Sequence, residues 1–341
     1  MAIETPPELV PSGPVDATPA RRAGSVRRTT SIDMTWDDGI GTPLTLSGRG
    51  RDLATQADGQ PAVLADERLV VRVSPERRIE QLLLAEHAEG EQCEISELIG
   101  IGAMGGFRAS VAERVPQMME ARRPSSLLMD DVPGATLISG FAASRWHPLP
   151  LLVESARASG HVRRMEGICT GFQPGSSGLA PDGTSRWNHR TRAVRRLADD
   201  PDPWAWHEIG EPDGMAMRRL RRIDVWQEGG EIHVDAMFQD SSTTPDGGRD
   251  AVHEYSLTAV ADASTAELLA VDATPRVLPY AECPLAVQNI GQVIGVRLED
   301  LRAVVLERLA GVAGCTHLND ALRALADVPH LTQQLRKASH D

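Results

Sequence analysis

Two thiols and an imidazole near the C-terminus are the residues best suited to chemistry. Cys283 stands in Ala281-Glu282-Cys283-Pro284, and Cys315 and His317 stand in Gly314-Cys315-Thr316-His317-Leu318-Asn319-Asp320. Thiolate and imidazole are metal-ligand groups. A thiol at a helix N-terminus is biased toward thiolate, and each of these cysteines just precedes an expected helix. The expected metal ligands are therefore Cys283, Cys315 and His317, with a fourth supplied by the sheet. His253 and Glu254, in Val252-His253-Glu254-Tyr255, are best placed for that role, and Asp320 is another candidate. Zinc accepts such a set, with iron as the alternative. Acid–base candidates beside it are Tyr255, Tyr280, Glu254, Glu282 and Asp320. Tyr255 and Tyr280 are the only tyrosines in the chain, and tyrosine serves as a general acid or orients an oxyanion. Cys93 and Cys169 are expected to lie outside the site.

Helices and strands must position these groups. Val293, Ile294, Leu298, Leu301, Val304, Val305 and Leu309 recur at helical spacing and predict a packed helix between the two cysteines. Gly311 and Gly314 end it, and Thr316 is the expected cap of the next helix, which carries Leu318, Leu322 and Leu325. The helical segments are placed at about 284–291, 297–310 and 316–327. Upstream, 222–227, 231–238, 251–261 and 266–273 read as strands separated by Asp-Gly and Gly-Gly turns. Strands followed by helices predict an α+β unit with an antiparallel sheet covered on one face.

The first third of the chain repeats this pattern. Ser31-Ile32-Asp33-Met34-Thr35-Trp36 matches Arg222-Ile223-Asp224-Val225-Trp226. Asp52 followed by Asp58-Gly59 matches Asp240 followed by Asp246-Gly247, and Met129-Asp130 falls on Asn319-Asp320. The shared order and near-constant offset predict an internal duplication. Opposite Cys315 and His317 the first copy has Ser125 and Leu127, so it is expected to keep the fold without the constellation, and to cover or dimerise with the active copy. The expected organisation is a disordered tail at 1–28, a degenerate copy at 29–141, a connection or lid at 142–214, the site-bearing copy at 215–330 and a tail at 331–341. The connection holds Trp146, Trp187, Trp204 and Trp206, together with His147, His161, His189, His207 and Cys169. A flexible linker avoids tryptophan, so this segment is expected to pack, or to give a pocket an aromatic wall.

Composition removes several function classes. The chain has 341 residues and a formal charge of −13, which argues against nucleic-acid binding. No apolar run approaches the roughly 20 residues of a membrane span. With no signal-like N-terminus and four cysteines, a cytoplasmic protein is expected. The only lysine is Lys337, in the polar tail. Schiff-base and pyridoxal-phosphate chemistry need a pocket lysine, and a Walker loop needs Gly-Lys-Ser/Thr.

The run from His253 to Asp327 resembles the NifU/IscU-type iron–sulfur scaffold fold, with Cys283, Gly295 and the Cys315/His317 pair in the matching places. The resemblance implies a small sheet followed by helices and an iron–sulfur role. The first cysteine of that family has no match, and its His-Cys order is Cys-Thr-His here. The Gly-Cys-Thr-His-Leu-Asn-Asp ending, with Leu278-Pro279-Tyr280 upstream, resembles a bacterial family known mainly as a domain of unknown function. The expectation is a zinc-like, metal-dependent lyase or hydrolase acting on a small aromatic or acyl substrate, with homodimerisation left open. A metal or iron–sulfur carrier and a purely structural zinc protein are the alternatives.

Overall fold

The computed structural model describes residues 5–87, 90–158 and 164–338. Among the described residues there are ten strands: β1 (Ser25–Trp36), β2 (Leu44–Thr55), β3 (Pro61–Val73), β4 (Ile79–Ala85), β5 (Cys93–Glu94), β6 (Arg192–Ala193), β7 (Met217–Glu228), β8 (Glu231–Thr243), β9 (Arg249–Asp262) and β10 (Leu268–Val277). The α-helices are α1 (Phe107–Arg114), α2 (Pro116–Glu120), α3 (Pro124–Ile138), α4 (Ala143–Trp146), α5 (Leu149–Ala158), α6 (Leu301–Arg308), α7 (Thr316–Ala324) and α8 (Val328–Ala338). The strands pair antiparallel, so the protein is of mixed α+β class with antiparallel sheet.

The chain divides into two compact units. One comprises Ala17–Ala142, Arg195–Gln227 and Pro329–Asp341, and the other Met1–Asp16, Ala143–Val194 and Glu228–Val328. In the first unit the strand order is β7-β1-β2-β3-β4-β5. Helix α3 lies close on this sheet because Gly48 and Gly50 lack side chains on the covered face. A Cβ on Gly50 would come 2.7 Å from that of Pro124, and one on Gly48 would come 3.3 Å from Leu128. Asp131 of α3 points into the sheet and binds Arg219 at 3.2 Å and Arg221 twice at 2.6 Å. All three groups are buried, so the ion pairs offset a desolvation cost that none could carry alone.

In the second unit β9 lies between β8 and β10, and β6 bridges to β9 at Asp250 and Ala251. The 3-10 helix Cys283–Val293, α6 and α7 follow. Strands were expected in these places and are longer than the sequence runs suggested. The segment expected as an α-helix at 284–291 is instead a 3-10 helix. Pro284 sits in its first turn and Gly291 and Gly295 interrupt the end, so no long i→i+4 ladder forms.

The N-terminal stretch differs most from expectation. Ser12 and Gly13 donate backbone hydrogen bonds to Pro275 and Arg276 at 3.2 and 3.0 Å. β1 begins at Ser25, and Arg27 and Arg28 are buried against Asp224 and Asp52. Composition alone suggested a tail here, but backbone pairing and buried ion pairs order it. Residues 1–4, 159–163 (His161 among them) and 339–341 of the expected tails and connection lie outside the described residues. The Trp-rich connection packs at several points. Trp146 donates to Thr243 O at 2.9 Å in one unit, and Trp206 donates to Thr18 Oγ1 at 2.9 Å in the other.

Replacing Asp131 by alanine removes the buried carboxylate that two buried guanidinium groups bind. Asp131→Ala is expected to cost about 3–5 kcal/mol by chemical denaturation. A loss below about 1 kcal/mol, the range of an exposed pair, would show that this pair does not hold α3 to the sheet.

Candidate metal centre

The second unit gathers three possible ligand atoms on one face of its sheet. Asp240 on β8 stands directly across from His253 on β9. A bulge between Asp240 and Ser241 follows at once, and bulges re-aim the side chains beside them. The third group, His317, is in the first turn of α7. Its Nε2 lies 3.5 Å from Asp240 Oδ2, and His253 Nδ1 lies 3.7 Å from the same oxygen. The two imidazoles stack, with ring centres 3.4 Å apart and planes 16° from parallel. Phe238, also on β8, sets its ring 6.1 Å from that of His317. The Asp240 side chain is fully buried, and those of His253 and His317 are 7% and 11% exposed.

Among the described residues, Asp240, His253 and His317 form the one group whose ligand atoms all lie within 4.8 Å of one another. His253 and His317 were expected ligands. Cys283 and Cys315 were also expected and are not in the group. The third member of the group is Asp240, which was not among the expected ligands. Cys315 does touch the centre, but from the other side of the ring: its Sγ lies 3.9 Å from His317 Nδ1. Nor are these thiols biased toward thiolate. Burial pushes Cys283 and Cys315 up, and the neighbouring sulfurs add to the shift of Cys283.

The other chosen residues are distributed around this centre. Tyr255 shares the His253 face of β9 and is buried beside Cys315, and burial holds its hydroxyl in the neutral form. Glu254 lies on the opposite face, as strand alternation requires. It accepts from the Val15 amide at 2.6 Å and from Gln239 Nε2 at 2.8 Å, and burial raises its pKa. Tyr280 meets Ser185 Oγ at 3.0 Å, and Glu282 accepts from the amide and hydroxyl of Ser177. Asp320 faces Arg323 at 3.9 Å and is outside the ligand group. The helix opens on Cys315 as its N-cap residue rather than on the expected Thr316. Asn319 supports that opening by donating to Leu309 O at 2.8 Å.

Cys169, set aside on sequence grounds, belongs to the same neighbourhood. Thr170 next to it donates through both its amide and its hydroxyl to Gly314 O, at 2.9 and 2.8 Å. A Cβ on Gly171 would meet Cys283 Sγ at 2.5 Å and Cys169 Sγ at 3.9 Å, so only glycine fits between the two sulfurs. Burial pushes the Cys169 thiol up to about 12. Aromatic rings line this side: Phe172 and His189 lie 5.2 and 5.4 Å from Tyr280, and Trp187 lies 6.1 Å from His189. Of the residues that the sequence reading missed, Asp240 had one signal. It is the counterpart of Asp52 in the repeated pattern, at the end of a strand that pairs with the one carrying His253.

Residues 217–331 match a family described as a protein of unknown function, DUF2889. That span carries Asp240, His253, Cys283, Cys315 and His317. No curated protein and no solved structure matches the chain. Among the described residues no helix is long and apolar enough to cross a membrane.

Burial drives the pKa of His189 down to about 4, so the folded chain holds it neutral. The unfolded imidazole titrates near 6.5. A depressed folded pKa means that this contribution is complete above about pH 6.5 and is lost as the pH falls toward about 4. His189→Gln is therefore expected to flatten the fall in denaturation midpoint across that window. Parallel wild-type and variant curves would contradict the assignment.

Proposed function

We propose that the chain binds one divalent metal ion, zinc with iron as the alternative, on Asp240, His253 and His317, and uses it as a lyase or hydrolase of a small molecule. The observation that carries this reading is the grouping of three ligand atoms within 4.8 Å on rigid elements. Two imidazoles and a carboxylate are a ligand set of catalytic zinc and of non-haem iron. Three protein ligands leave a position for water or a substrate oxygen, which the metal would activate or polarise. The absence of any lysine but Lys337 disfavours a Schiff-base route. The rings of Phe172, Trp187, His189 and Tyr280 near the thiols suit a small aromatic or acyl substrate. An iron–sulfur scaffold has less support, because none of the three grouped atoms is sulfur.

A second reading, a closed structural centre, is favoured by the burial of all three ligands. The two readings separate on chelation. The catalytic reading expects the metal-free protein to stay folded, and the structural reading expects it to unfold.

The reading also includes an internal duplication, supported by the order of elements. Four strands, β1–β4, precede α1 and α3 as β7–β10 precede α6 and α7. Two bulges recur at matching places. One follows Asp52 in the β2–β3 pair and Asp240 in the β8–β9 pair. The other lies where β3 meets the start of β4 and where β9 meets the start of β10. At the first bulge, Ala65 faces Asp52 where His253 faces Asp240. Asp52 binds Arg28 through two 2.7 Å bonds, so an arginine serves the first carboxylate where imidazoles face the second.

Elemental analysis of the untreated protein is expected to find about one zinc or iron per chain. Asp240→Ala, His253→Ala and His317→Ala should each lose it, while Cys93→Ser and Cys283→Ser keep it. A metal-free wild type, or equal metal in all five variants, would refute the assignment.

A further inference from the structure

We infer that Cys315 is a positioning residue for this centre: its sulfur accepts the Nδ1–H of His317 and so keeps Nε2 turned toward Asp240. The inference rests on the metal reading and adds the group that orients one of its ligands. The two nitrogens of His317 face opposite ways, Nε2 toward Asp240 at 3.5 Å and Nδ1 toward Cys315 Sγ at 3.9 Å. A ligating histidine characteristically donates its second N–H to a fixed acceptor, which sets the tautomer and the ring orientation. Sulfur is a weak acceptor, but its large radius allows a bond at this distance.

Thr316 Oγ1 also approaches Nδ1, at 3.3 Å. Burial decides between the two. Thr316 is half-buried, and water can replace its hydroxyl if it is removed. Cys315 is 3% exposed, and water has no comparable access to the space its sulfur fills. Three elements hold that sulfur in place. Cys315 occupies the N-cap position of α7, Gly314 before it is tied to Thr170, and Tyr255 of β9 lies beside the thiol. Tyr255 stands two positions from His253 on the same strand face, so the ligand and the support come from one rigid strand. Cys315 is not itself a ligand on this account, because it addresses the nitrogen that points away from Asp240. The competing role is that of a small apolar core residue, which buried cysteine commonly plays.

The test uses the full-length chain, stripped of metal and titrated with Co²⁺ and then with Zn²⁺. Cys315→Ala is expected to weaken binding about 10–100-fold, the range for loss of an orienting partner. Cys315→Ser, which restores an acceptor, and Thr316→Ala should bind close to wild type. The cobalt spectrum of the wild type should lack a sulfur-to-metal charge-transfer band. Unchanged affinity in Cys315→Ala would overturn the inference while leaving the metal site standing, and a sulfur charge-transfer band would overturn it by making Cys315 a ligand. A wild type that binds neither ion removes the metal reading itself. Imidazole ¹⁵N spectra of the zinc-loaded wild type give a check that needs no variant. The proton of His317 is expected on Nδ1, and finding it on Nε2 would refute the proposal even if Cys315→Ala fails to fold.

Discussion

Burying a carboxylate completely is costly unless hydrogen bonds or positive charge surround it. Asp240 is such a carboxylate, and it looks onto two stacked imidazoles. Much of the second unit can be understood as the apparatus that places those three groups together. The β8–β9 pairing puts His253 across from Asp240, and the bulge that follows sets the aim of the acid. Helix α7 must then begin at the right depth for His317 to arrive from above the sheet. That depth is set by close contacts that only small residues allow, at Gly314 against Asn319 and at Gly171 against Cys283.

On this proposal the thiols have a different part from the one their chemistry suggested. Cys169, Cys283 and Cys315 are packed into the wall behind the centre, with the two tyrosines around them. Burial keeps all three protonated in character. In that state a cysteine is a compact, polarisable filler with a weak hydrogen-bonding edge. A neighbouring imidazole nitrogen can use such an edge.

Much of this was legible in the sequence, for identifiable reasons. The four strands of the second half stood out because their apolar runs are bounded by Asp-Gly and Gly-Gly turns, and α6 and α7 because their leucines repeat at helical spacing. His317 stood out because it follows Cys315 by two residues, and His253 because it lies in the strand run best placed to supply a ligand from the sheet. Asp240 escaped because an aspartate leading into Ser-Ser-Thr-Thr-Pro-Asp-Gly resembles turn punctuation. The bulge that fixes its aim leaves no mark on the alternation of side chains. Cys283 lies outside the grouped atoms, and spacing says how far apart two residues are along the chain, not which side of an imidazole each one reaches. The N-terminal stretch was misjudged for another reason. Its Pro- and Arg-rich composition lacks a core signature, yet Ser12 and Gly13 pair with β10 and Arg27 and Arg28 find buried carboxylates.

The most direct test of the central claim is the X-ray absorption fine structure of the zinc-loaded full-length protein. The account predicts a first shell of nitrogen and oxygen only, at about 2.0–2.2 Å, with the outer scattering of two imidazoles. A sulfur shell near 2.3 Å would contradict it and return the centre to Cys283 and Cys315.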